Sequence, residues 1–146
     1  MDDDILDVTA WIQCAQEDYD AAIMLANANH PYSARKACYE CQQSAEKILK
    51  AYMIAKESTR IKEHDPVILL KRCIPHSSDF GSLDANCWVL KAHITKSRYP
   101  SFKKLTDADM NAALQAAAQI LEFTKAKLKE MGYEYLTEQD NRQTPP

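Results

Sequence analysis

The sequence predicts an all-α protein, a four- to five-helix antiparallel up-and-down bundle, and three observations carry that expectation. Apolar residues recur at spacings of three and four through three long windows, the period of one helix face. No window alternates with period two and β-branched enrichment, as a half-buried strand would. Only two glycines occur in 146 residues, Gly81 and Gly132. That is too few for the hairpin turns and phosphate-cradling loops that depend on glycine.

The first helix is expected over residues 5–28. Val8, Trp11, Ile12, Ala15, Tyr19, Ala22 and Ala26 form its inner stripe, and Asp7 or an earlier aspartate caps it. The run from Asn27 to Pro31 breaks it. The second helix spans 33–56 with Ser33 as N-cap, and it buries Ala34, Ala37, Cys38, Cys41, Ala45, Ile48, Leu49, Tyr52 and Ala55. The opposite, solvated face carries Arg35, Lys36, Glu40, Gln43, Lys47 and Lys50, with Glu46 four residues before Lys50 in the favourable ion-pair order. After a polar connector, Asp65-Pro66 supplies a cap and a first-turn proline for a short third helix over 67–74, which stops near Pro75.

Residues 76–81 are expected to be loop. Ser82 then caps a fourth helix from Leu83 to about Ser97, with Leu83, Cys87, Leu90 and Ile94 inward, and Pro100 ends it. Thr106-Asp107-Ala108-Asp109 has the form of a capping box. It opens a fifth helix over 107–130 whose stripe is Met110, Ala113, Leu114, Ala117, Ile120, Leu121, Thr124 and Leu128. Gly132 provides the C-cap. The bundle is therefore expected over 5–132, and a polar, disordered tail over 133–146.

The longest apolar run, Val67 to Leu70, is far below the roughly 20 residues that span a bilayer. The start Met1-Asp2-Asp3-Asp4 is the opposite of a basic signal-peptide start. No membrane association is expected, and the cytoplasm is the expected location. Five cysteines fit a reducing compartment. Cys38 and Cys41 form a Cys-x-x-Cys, but within a helix and on its buried stripe rather than at an N-terminus, where the dipole lowers a thiol pKa. They are expected to be small core residues, and neither a metal nor a cofactor is expected. A net charge of −3 excludes wholesale non-specific nucleic-acid binding. It leaves room for local basic patches.

Four stretches give the chain a family likeness. They are Trp11-x3-Ala15-x2-Asp18-Tyr19-x2-Ala22, the run Cys41-Gln42-Gln43-Ser44-Ala45-Glu46-Lys47-Ile48-Leu49-Lys50-Ala51, His64 before the short helix ending in Leu69-Leu70, and Arg98-Tyr99-Pro100 before a capped, alanine-rich last helix. In this order and spacing they resemble the HEPN family, the higher-eukaryote and prokaryote nucleotide-binding helical bundles. The resemblance implies a bundle that dimerises and is encoded beside, or fused to, a small nucleotidyltransferase. Some members are toxin ribonucleases with an Arg, four to six residues, then a His, paired across a dimer. Here no histidine follows Arg98, Arg60–His64 and Arg72–His76 are too closely spaced, and His93 precedes Arg98. The chain is thus similar to the Arg-Tyr-Pro branch, whose members are mostly assigned nucleotide or partner binding.

Candidate binding residues follow. Arg98 supplies a guanidinium for phosphate and Tyr99 a ring for stacking; the alternative is that both serve the helix end and the core. Lys96 and Lys103, with Lys91 and Lys104, add local positive charge. Gln43, Lys47 and Lys50 form either an anion groove, a dimer surface or an ordinary solvated face. Either Trp11 or Trp88 is expected at a dimer contact. The leading expectation is a homodimeric module that binds nucleotide or RNA phosphate and accompanies a minimal nucleotidyltransferase in a toxin–antitoxin-like pair. The alternatives are a metal-independent endoribonuclease, with Arg98 stabilising phosphate and His64 or His93 as base, and an interaction scaffold without small ligands.

Overall fold

Chemistry at the helix ends sets most of the boundaries. In the computed structural model, which describes residues 7–93 and 105–134, Asp7 accepts the backbone N–H of Ala10 at 3.2 Å and opens α1 (Val8–Asn27). α2 runs Ser33–Glu57. Asp65 accepts the N–H of Val67 at 2.9 Å and, with Pro66 in the first turn, opens α3 (Pro66–Cys73). A 3₁₀ turn, Ser78–Leu83, leads into α4 (Asp84–Ala92). Thr106 and Asp109 exchange reciprocal bonds of 3.1 and 2.9 Å, a complete capping box, at the start of α5 (Asp107–Glu130). Among the described residues there is no strand, so the fold is all-α as expected.

Gly132 closes α5 at a φ of +94°. Its N–H bonds the carbonyl of Lys129 at 2.9 Å, and the N–H of Tyr133 bonds that of Leu128 at 3.0 Å. This is the paired bonding of a Schellman ending, which needs a left-handed residue after the cap.

Three local expectations give way. Ser33 does not cap α2: its hydroxyl accepts the N–H of His30 at 2.9 Å, and the cap position falls to Tyr32, which makes no side-chain capping bond. Ser82 does not cap α4, because its hydroxyl donates to the carbonyl of Asp79 within the 3₁₀ turn. α4 ends at Ala92, where the His93 N–H turns back to Leu90 and Lys91; the rest of the expected span, with Ile94 and Ser97, lies outside the described residues.

α2 is the centre of the bundle. Sixteen of its 25 residues are buried, more than one apolar stripe provides, because α1, α3, α4 and α5 all pack on it. Ser44 donates to the carbonyl of Ala15 at 2.8 Å and Lys50 stands over Trp11, so α1 descends as α2 rises. Gln42 bonds Leu90 and Tyr52 packs on Phe80, so α4 is also antiparallel to α2. α5 runs with α2: Asp109 at its start acts on Cys38, and Lys127 and Glu130 at its end act on Tyr52. This is the up-and-down order, with the second and last long helices parallel. At that end Tyr52, Phe80 and Phe123 form a chain of rings with centroids 4.5 and 5.1 Å apart.

Candidate functional site

The polar residues that the helices bring together lie around the middle of α2. Glu46 and Lys50 face the same way one turn apart, and Lys50 Nζ donates to Glu46 Oε1 at 3.0 Å. The sequence pattern put Lys50 on the solvated face. The structure instead buries it with Glu46, each residue 5% exposed, because α2 is covered on that side as well. The ammonium lies 5.9 Å from the centre of the Trp11 ring on α1, a cation–π contact in a desolvated setting. A buried charge needs such partners, since desolvation otherwise costs several kcal/mol per ion.

The connector between α2 and α3 completes the cluster. His64 places Nδ1 against the same Glu46 oxygen that Lys50 holds. The Glu63 carboxylate accepts the backbone N–H groups of His64 and Asp65, each at 3.0 Å, and so fixes the chain at this point. The two partners differ sharply in environment: the His64 side chain is 68% exposed, that of Glu46 only 7%. A carboxylate only accepts, so Nδ1 carries the proton on this bond; in the neutral ring Nε2 is then an acceptor at the surface.

Asp65 extends the cluster to α4. Besides capping α3, it pairs with Lys91 at 2.7 Å. Burial works to raise its pKa, but the Lys91 ammonium and the N–H groups of Val67 and Ile68 prevail and hold it below its ordinary value. Lys91 in turn lies 5.0 Å from the ring centre of Trp88, an indole that is 49% exposed. Gln42 Nε2 donates to the Leu90 carbonyl at 3.2 Å in the interior, and His93 Nε2 stands 3.7 Å from the carboxylate of Asp109 on α5. Trp88, Lys91 and Asp65 on one side, and His64, Glu46, Lys50 and Trp11 on the other, therefore form two runs of contacts that adjoin where His64 and Asp65 follow one another in the connector.

Of the residues singled out from the sequence, Gln43 is half-buried on α2. Lys47 pairs with Asp18 of α1 at 2.7 Å. Its burial works to lower its pKa, but the hydrogen bond and charge of Asp18 outweigh this and raise it. Burial, then the Asp18 charge, raise the pKa of nearby Glu40. Lys96, Arg98, Tyr99, Lys103 and Lys104 lie outside the described residues. Cys38 and Cys41 are fully buried, and burial pushes each thiol up to about 12, which suits core residues rather than redox chemistry. Among the described residues no group of three or more His, Cys, Asp or Glu side chains could hold a metal ion. No described helix is long and apolar enough to cross a membrane.

The Glu46–His64 contact was not foreseen. Its partners are 18 residues apart, and no local spacing rule joins them. The one available signal was a histidine directly before a capped helix, facing a helix with a Glu-x3-Lys pair.

The sequence model of the HEPN domain family matches residues 8–128. Two crystal structures share the fold. TT1696 from Thermus thermophilus is 23% identical, with a TM-score of 0.70 over 82% of this chain and 97% of its own. ST0689, an archaeal HEPN homologue, is 23% identical, with a TM-score of 0.66 over 83% of this chain and 97% of its own. No curated protein matches the chain.

Proposed function

This chain belongs to the HEPN domain family, and on that premise we propose that it is a binding module for the phosphates of a nucleotide or RNA. It acts as a homodimer and as the accessory partner of a minimal nucleotidyltransferase, in a two-component system of toxin–antitoxin type. Family membership across residues 8–128 is the observation that carries this reading.

Charge supports where the phosphate is held. Lys47 and Lys50 are engaged by Asp18 and Glu46, and Lys91 by Asp65. Residues 94–104 hold Lys96, Arg98, Lys103 and Lys104 and no acid, a concentration of positive charge in a chain of net charge −3. Arg98 grips phosphate by its planar fork of donors, Tyr99 stacks on a base or ribose, and Lys96 and Lys103 add attraction that salt screens.

The test is a salt titration of ATP, GTP and short RNA binding to the wild type and to Arg98→Ala. The expected result is weaker binding by the variant and a shallower salt dependence. Equal binding by the two proteins removes Arg98 from the site. No binding of any ligand by the wild type leaves a pure interaction scaffold. Co-purification with a nucleotidyltransferase encoded by the adjacent reading frame tests the partner.

A further inference from the structure

We propose that the exposed edge of His64 is a ribose subsite: Nε2 accepts a hydrogen bond from the 2′-hydroxyl of a bound ribonucleotide, so that the domain distinguishes RNA from DNA. This rests on the reading of the protein as a nucleotide- or RNA-binding module and specifies which part of that ligand the described helices meet.

The argument starts from Glu46. Its buried carboxylate is already balanced by Lys50, whose Nζ lies 3.0 Å from Oε1, so the His64 ring contacts an ion pair of no net charge and a neutral ring satisfies the bond. In that ring Nδ1 donates to Glu46, and Nε2, which no described residue bonds, keeps a lone pair on a largely exposed side chain. The tautomer is fixed by a buried anchor while the working nitrogen stays at the surface, as a second partner on a histidine dictates.

The Nε2 lone pair selects its ligand. A phosphate oxygen is itself an acceptor and finds no donor there. A metal ion would need further ligands, and no such cluster exists among the described residues. What fits is a neutral hydroxyl donor carried by a ligand whose other parts meet a ring. The half-exposed Trp88 stands against Lys91, the partner of the adjoining Asp65. A nucleotide unit presents these together, and the 2′-hydroxyl is the donor that separates RNA from DNA.

The experiment measures fluorescence anisotropy of one short single-stranded sequence made as RNA, as DNA and as 2′-O-methyl RNA, at one salt concentration. The methyl ether keeps the RNA-like sugar pucker and puts a methyl group in place of the donor hydrogen. Wild type is expected to bind RNA about tenfold more tightly than either analogue, the order of one well-placed hydrogen bond. His64→Ala is expected to bring RNA affinity down to that of the analogues and leave DNA affinity unchanged. His64→Gln, which keeps an acceptor near the position of Nε2, is expected to retain part of the preference. Equal binding of all three by wild type overturns the subsite while binding itself stands. A preference that survives in His64→Ala, or an equal loss for RNA and DNA, also overturns it. No binding of any strand overturns the parent reading and the subsite with it.

Discussion

The side-chain amide of Gln42 donates to the carbonyl of Leu90 at 3.2 Å inside the bundle, tying the end of α4 to the middle of α2. That carbonyl also accepts the N–H of His93 at 3.1 Å. Gln42→Leu should therefore break this bond without orphaning the carbonyl, and the loss of the bond should cost about 1 kcal/mol. Urea unfolding of the variant checks the magnitude; an unchanged midpoint would show that the bond contributes nothing.

The Glu46–Lys50 pair should behave non-additively. Lys50→Met leaves a buried carboxylate whose remaining side-chain partner among the described residues is His64, and is expected to destabilise by about 3 kcal/mol. The double variant Glu46→Met/Lys50→Met removes both charges and should lose less than Lys50→Met alone. A double-mutant cycle by denaturant unfolding measures the coupling, and simple addition of the two losses would contradict the buried pair.

Thiol reactivity should separate one cysteine from four. Cys14 is exposed, whereas Cys38, Cys41, Cys73 and Cys87 are buried, and burial pushes those four up to about 12. An aromatic disulfide reagent at mildly alkaline pH should titrate a single thiol in the native protein and all five of the chain in denaturant.

Asp65 should leave its mark on acid stability. Its folded pKa is lowered from 3.8, so its contribution is fully present above that value and is lost as pH falls through the lower folded value. Asp65→Asn keeps a capping side chain but loses the Lys91 pair. The difference in stability between wild type and variant should be constant near neutrality and shrink only below about pH 4. A difference that grows with acidification would reverse the sign and refute the assignment.

Sequence patterns carried most of the architecture because the relevant physics is local. Asp65-Pro66 and the Thr106/Asp109 box cap the helices as their spacing indicates, and the stripe from Met110 to Leu128 is the face that α5 buries, with Leu114 partly covered. What escaped depended on neighbours far along the chain. Glu46 and Lys50 look like a solvent-facing pair by periodicity, and they are interior because α2 is enclosed on that side as well. Ser33 and Ser82 have the right chemistry for capping, yet each hydroxyl bonds a nearer backbone group. Of the candidate site, Lys47 and Lys50 proved to be committed to carboxylates. His64 acquired its setting only when the connector folded back onto α2.

The enclosure of α2 also bears on how the molecule opens. A rod walled in by four others cannot release its backbone amides by fraying one side. Its protons should be the last to trade with deuterated water, at the pace set by whole-molecule unfolding, while the short α3 and the outer turns of α1 and α5 exchange through smaller, more frequent excursions.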